Sequence, residues 1–279
     1  MITEKLIFKI PYEIPDVPDY SAIFGANYYD HWRAWDAGSL TLTGSLVDSA
    51  ASLTGSGRSM DSPGSGRPTL NADSIIGKNA FQFDGVNEFM QVASSTTDYN
   101  FLHNGAGGCV IIVGYIDDVN PDNAQVFLDN HNLTTAETGF DIVFDDRSSS
   151  SRNNRVINRV SKSVGGQTPI NNLSSDNVLL TQQYNNSTHI FDADNATAAD
   201  RSVIVVNGGS EIKNNTNTFT PVLTSASNNL TLGRRTTTTD FHLKGSIAEV
   251  IIIDTIPTPT QLAQVQARLE FDYSTFPIT

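Results

Sequence analysis

Two runs of β-branched residues limit what this chain can become. Cys109–Ile116 reads CVIIVGYI and Ser246–Ile253 reads SIAEVIII. Their length and β-branched content mark them as buried strands. Shorter strand candidates are Gln125–Leu128, Phe140–Phe144, Arg155–Val160, Val178–Gln183, Ser202–Val206 and Leu230–Leu232. Loops join them with almost no helical pattern between, which favours an antiparallel sandwich over βαβ units. Composition points the same way. Asn, Ser and Thr make up 80 of the 279 residues, and these types serve polar turns and half-buried strands.

A chain this long hides roughly 75% of its extended surface on folding, so no staple or cofactor is required for stability. The formal net charge of −13 argues against nucleic acid or an anionic membrane as partner, because both need a dense cationic face. No apolar run reaches the roughly 18 residues of a membrane span, and MITEKLIFKIPYE lacks the features of a signal peptide. The expectation is a chain made in the cytoplasm without membrane insertion. Cys109 is the one cysteine; at the head of an apolar strand it reads as a small core filler.

Residues 1–20 read as an extended N-terminal arm, because three prolines in quick succession fix φ and remove donors. Such an arm exposes backbone groups that can add to a neighbour's sheet edge. Residues 21–279 form the main domain. Within it, Ser21–Asp36 carries aromatics at helical spacing and predicts a short helix. Gly44–Asn71, rich in Gly, Ser and Pro, reads as a long surface loop. Phe81 and Phe83 alternate with polar residues ahead of Asp84–Gly85, predicting a hairpin with Phe89–Val92. In TPTQLAQVQARLEF, Thr258 as N-cap and Gln261 at N3 form a capping box, and Leu262, Val265 and Leu269 share one face.

Four stretches, in order, carry a family resemblance: RAWDAGSLTLTG; GSGRPTLNADSIIGKNAFQFDGVNEFMQV; the pair SVIVVNGG and NLTLGRR; and LKGSIAEVIIIDTIPTPTQLAQVQARLEFDY. Together they resemble the laminin-G-like domains of the concanavalin A-like superfamily. The resemblance implies an all-β, two-sheet antiparallel jelly-roll sandwich. It also implies a structural calcium near the sheet edge, for which Asp254 and Asp84 are the matching acids. The residues themselves favour a turn aspartate ahead of Gly85 for Asp84 and a strand-ending cap for Asp254. The middle of the chain, residues 120–181, matches no part of the family pattern.

Retaining glycosidases need two carboxyl groups about 5 to 5.5 Å apart, and the E-x-D-x-x-E strand of the laminarinase-like relatives is absent. Asp192-Ala193-Asp194 lies in a polar stretch without strand character, and its third position, Ala196, breaks an EF-hand pattern. The five histidines show no metal-ligand spacing. Sugar binding instead needs aromatic faces and short polar side chains. Trp32, with its neighbours Tyr28, Tyr29 and Trp35, offers the first. The loops Asp129, Asn130, His131, Asn132 and Asp145, Asp146, Arg147 offer the second.

The reading that follows is a non-enzymatic recognition or structural module that contacts glycans or other protein subunits. Its docking arm, missing export signal and amide-rich sandwich resemble phage virion components exposed on a particle surface. The alternatives are a free-standing lectin and a glycoside hydrolase with an unrecognised carboxylate pair. The core assignment is testable on its own: Phe83→Ala should lower stability by about 3 to 5 kcal/mol, seen as a shift of the urea unfolding midpoint.

Overall fold

The two β-branched runs lie side by side, residues 109–113 pairing antiparallel with 249–253. The computed structural model describes residues 17–75, 77–117, 124–132, 138–147, 154–160, 170–179, 183–218, 225–236 and 241–273. Among them are strands β1 (Tyr28–Arg33), β2 (Leu40–Thr43), β3 (Leu46–Ala51), β4 (Ser59–Asp61), β5 (Thr69–Ile75), β6 (Lys78–Asp84), β7 (Met90–Val92) and β8 (Gly108–Ile116). They continue with β9 (Gln125–Asp129), β10 (Phe140–Asp145), β11 (Arg155–Val160), β12 (Ile170–Leu173), β13 (Tyr184–Phe191), β14 (Ser202–Val206), β15 (Thr231–Leu232) and β16 (Lys244–Ile253). The α-helices are α1 (Tyr20–Phe24) and α2 (Pro259–Tyr273).

The fold is all-β, antiparallel, with a short C-terminal helix, but the strands do not separate into two sheets. They form one hydrogen-bonded path in the order β12-β11-β10-β9-β15-β7-β4-β3-β5-β6-β16-β8-β13-β14, with β1 beside β16 and β2 beside β3. The two ends of that path meet. The Asn172 side-chain amide in β12 donates to the Ser202 carbonyl at 2.8 Å, and Asn158 in β11 donates to the Val203 carbonyl at 3.3 Å. Side-chain amides thus replace a backbone ladder and give the sheet a barrel-like closure, which corrects the two-sheet jelly-roll expectation.

Strands β8 and β16 are buried on both faces, which is why their sequences run apolar without alternation. Val110, Ile112, Ile116, Val250 and Ile252 point into the main core with Trp32, Phe81 and Phe83. Cys109, Ile111, Val113, Ile251 and Ile253 point into a second core beneath the helices, against Tyr20, Phe24, Val265, Leu269 and Tyr273. Helix α2 starts where the capping box places it: Gln261 N–H donates to Thr258 Oγ1, and Thr258 N–H donates to Gln261 Oε1 at 3.0 Å.

Several local expectations are corrected. The helix over 21–36 ends at Phe24, and β1 follows. Pairing with β16 makes this segment a strand, and the register shift between Tyr28 and Asp30 puts Tyr28 on the face opposite Trp32. The loop over 44–71 contains β3, β4 and β5; its glycines occupy positive-φ turns at 44, 55, 57 and 64, while Val47, Ala50 and Met60 enter the core. The strands of the 81–92 hairpin exist but do not pair with each other: β6 pairs with β5 and β16, and β7 with β4 and β15. Val178, Leu179 and Gln183 are not in a strand; the strand is β13, which buries Asn185, Asn186 and Ser187. Of the expected arm, residues 1–16 lie outside the described residues, and Tyr20 already belongs to α1.

The seam has a measurable worth. His189, pushed down to about 3 by burial, is neutral, so its Nδ1–H donates to Asn158 Oδ1 at 2.6 Å. Asn158→Ala strands that donor while the Val203 carbonyl keeps its ladder partner in β13, and the unfolding free energy should fall by about 1 to 3 kcal/mol in a urea titration.

Candidate functional site

Strand alternation divides β10 between two environments. Phe140, Ile142 and Phe144 fill the main core, while Val143 faces the other way with Val126, Ile157 and the half-buried Leu173 and Phe241. Asp141, Asp145, Arg155 and Arg159 share strand faces with this apolar floor. Above it lies a cavity of about 190 Å³ lined by Asp145, Arg147, Arg159, Asn171, Arg235 and Phe241 among others. Arg235 lies over the Phe241 ring at 4.4 Å from its centroid.

Asp141 sits directly opposite Asp129 in the β9–β10 ladder, and both are fully buried. Arg159 grips Asp141 with two bonds, Nε at 3.1 Å and Nη2 at 2.6 Å, and Arg235 adds Nη2 at 3.0 Å. Burial pushes the Asp141 carboxyl up, but these two guanidinium groups outweigh it and hold it below the usual carboxylate range. Asp129 goes the other way, raised by burial and by the Asp141 charge. Its Oδ2 accepts from the Thr236 amide at 2.8 Å and from the Thr236 hydroxyl. Among the described residues, the buried atoms Asp129 Oδ1, Asn130 Nδ2, Arg235 Nε and both ring nitrogens of His131 have no hydrogen-bond partner. Burial pushes His131 down to about 4, so it is neutral at pH 7.

The structure places the two sequence-predicted loops at opposite ends of β10 and changes their character. Asp129, Asn130 and His131 are buried at the end of β9, and Asn132 is half-buried. Asn130 Oδ1 accepts from the Phe140 amide at 2.8 Å. Asp145 ends β10 and holds Arg147 through Nε at 2.9 Å and Nη2 at 2.7 Å, while Asp146 Oδ1 accepts from the Asn154 amide. Trp32 is corrected outright: it is completely buried in the main core and has no face for a ligand. Trp35 remains half-buried, between Arg33 and Lys78 at 4.2 and 3.6 Å. Sequence reasoning passed over Asp141, Arg159, Arg235 and Phe241. Arg234-Arg235 ahead of four threonines is a paired basic signal in an acidic chain, and Asp141 and Arg159 lie at alternate positions to the apolar residues of their strands.

Asp84 Oδ1 accepts from the amides of Val86 and Asn87 in a turn, and Asp254 is half-buried with Oδ1 unpartnered. Among the described residues, the group whose ligating atoms lie within 4.8 Å of one another is Asp129, His131 and Asp141. Neither Asp84 nor Asp254 belongs to it. The two guanidinium groups on Asp141 disfavour a further cation there.

No family model and no curated protein matches the sequence. Solved structures do match the fold. The Trypanosoma rangeli sialidase in complex with sialic acid has a TM-score of 0.57 and is 11% identical, covering 94% of this chain and 35% of that one. The same sialidase with 2,3-difluorosialic acid as a covalent intermediate has a TM-score of 0.57 over 95% of this chain and 36% of that one, again at 11% identity. The CBM40 of a Ruminococcus gnavus sialidase bound to α2,3-sialyllactose has a TM-score of 0.47 and 12% identity, covering 67% of this chain and 95% of that one. This chain therefore spans about a third of the length of the T. rangeli enzyme. The expectation that the chain is not an enzyme is corrected by the T. rangeli structures: a sialidase contains this fold, so the fold gives no ground for excluding catalysis. They lend no support to a virion role.

The Asp129–Asp141 pair makes a pH prediction. The folded protein keeps a proton on Asp129 where an unfolded aspartate, with a pKa of about 3.9, has lost it. Its contribution to stability is therefore full below that value and declines as pH rises toward the higher folded one. Urea midpoints across pH 4 to 8 should fall more for the wild type than for Asp129→Asn.

Proposed function

We propose that the domain binds carbohydrate in the cavity above β9–β12 and that the sugar it takes is acidic. The observation that carries this reading is the convergence of Arg147, Arg159 and Arg235 on one cavity in a molecule whose formal net charge is −13. Among the described residues, three guanidinium groups meet the two carboxylates of Asp141 and Asp145 at this cavity. Guanidinium groups suit a carboxylate because they present paired donors in a plane. Phe241 supplies an apolar face for a sugar ring, and Asn171 supplies an amide for its hydroxyls. A cavity of about 190 Å³ is smaller than the roughly 300 Å³ where drug-sized pockets begin. It suits a terminal residue of a glycan.

A second reading, glycoside hydrolysis, is favoured by the Asp129–Asp141 pair. Their ligating oxygens lie within 4.8 Å, near the spacing of about 5 to 5.5 Å in retaining enzymes, and their proton affinities are pushed in opposite directions. Substrate would reach them only with Arg235 and Thr236 displaced. Release of 4-methylumbelliferone from its N-acetylneuraminic acid glycoside, abolished in Asp141→Asn, would support this reading, and no release would end it.

For the binding reading, calorimetry with 3′-sialyllactose and with lactose is the direct measurement. The acidic trisaccharide should bind and lactose should not, and Arg147→Ala should weaken binding by about tenfold or more, in line with loss of a charge-assisted bond. Equal binding of the two sugars, or binding of neither, would overturn the proposal.

A further inference from the structure

Two register shifts bracket the β1–β16 ladder, one in β1 near Ile252 and Ile253, the other in β16 against β8 just before Glu249, which pairs with Arg33. In β1 the register shifts between Tyr28 and Asp30, so Tyr28 and His31, three residues apart, come onto one face. In β16 the register with β8 shifts between Ile247 and Glu249, which turns Glu249 toward His31 and toward Tyr273 of α2. Bulges are a common device for re-aiming a side chain beside an active site.

The three re-aimed groups form a chain of hydrogen bonds. Burial pushes the His31 pKa down against the pull of Glu249, leaving a neutral imidazole. Its Nε2–H donates to Glu249 Oε1 at 2.5 Å, so Nδ1 is the acceptor and takes the Tyr28 hydroxyl proton as its hydrogen bond. Glu249 is fully buried. Burial alone would push its carboxyl up, but His31 and Arg33 hold it down at about 2. Arg33 donates to Oε1 through Nε at 2.8 Å, and the Tyr273 hydroxyl donates to Oε2 at 2.8 Å. The carboxylate is thereby fixed in charge and position, and the imidazole is fixed in tautomer.

This relay opens to solvent at one end. Tyr28, half-buried, lines a pocket of about 310 Å³ together with His31, Tyr20, Arg33, Leu53 and Arg268. Tyr20 packs edge-on against His31 with ring centroids 5.4 Å apart. Its hydroxyl is buried and, among the described residues, has no partner. A hydroxyl on the pocket wall next to a base, and a base held by a carboxylate, are components of nucleophilic acyl transfer.

We propose that Tyr28, His31 and Glu249 form an esterase site, with Tyr28 as the nucleophile and the acetyl ester of a polar alcohol as substrate. The Tyr28 oxygen attacks the ester carbonyl while His31 Nδ1 takes the phenolic proton. Collapse breaks the bond to the alcohol oxygen, which leaves with the proton from His31. An acetyl-tyrosine results. Water then gives a proton to His31 and attacks the acetyl carbonyl. The Tyr28–acetyl bond breaks, His31 returns the proton to Tyr28, and acetate departs. Glu249 acts through His31 and touches no substrate; it is a positioning residue.

p-Nitrophenyl acetate incubated with the full chain provides the test, read as p-nitrophenol release and as peptide mass after acid quench. Wild type should release p-nitrophenol roughly a hundredfold or more faster than Tyr28→Phe, the lower range for a positioned base, and the quenched protein should carry one acetyl group on Tyr28. Tyr28→Phe removes a single oxygen, and its urea midpoint shows whether it folds. The mass measurement uses wild type only, so it stands even if the variants do not fold. Equal rates in wild type and a folded Tyr28→Phe, or acetylation elsewhere and not at Tyr28, would overturn the assignment. Sugar binding at the arginine cavity is unaffected by either result.

Discussion

Strands β8 and β16 bury side chains on both faces, and each face therefore needs its own apolar cover. On one side the cover is the inward face of the remaining strands. On the other it is α1 and α2, with Tyr20, Phe24, Val265, Leu269 and Tyr273 closing over Ile111, Ile251 and Ile253. The C-terminal helix is thus a structural lid for the central ladder, and its last residue, Tyr273, carries the contact with Glu249. Removing it would expose a row of isoleucines and leave a buried carboxylate short of one donor.

What the sequence made legible follows from how local the signals were. The paired apolar runs, the capping box at Thr258 and the strands 140–144, 155–160 and 202–206 depend on contiguous residues, and the structure has them. The long-range pairing did not follow. Asp84–Gly85 makes a turn, but the strand after it joins β4 and β15 across the path, because a hairpin signal fixes a turn and not the partner. Strand β13 hid behind YNNSTH, whose amides and hydroxyls look like a loop. They are buried because they complete the seam: Ser187 bonds His189, which bonds Asn158.

The polar residues singled out as surface ligands show the same limit. DNHN and DDR lie at opposite ends of β10, and the first is largely buried, since Asp129 must face Asp141 in the ladder. Composition told of abundant amides and few charges, but not that Arg159 and Arg235, far apart in sequence, would meet on one carboxylate. Glu249 had no acidic partner in its own strand, and that remains so; its partners come from β1 and α2. Trp32, conspicuous as an aromatic, is core because it alternates with His31 and Arg33 on a strand whose other face carries the polar relay.

The amide seam between β12 and β14 also determines how this domain meets its neighbours. An open sheet of this width would present two terminal strands whose backbone groups invite a second chain to extend the ladder. Here the outer carbonyls of Ser202 and Ile204 in β14 are taken by the Asn172 side chain and the Ile212 amide, while the Asn171 and Asn214 amides are taken by Asn215 and Asn172 side chains. Crowded copies therefore have few terminal hydrogen bonds to exchange. Contact between them falls to side-chain surfaces, where a predominantly negative charge keeps them apart.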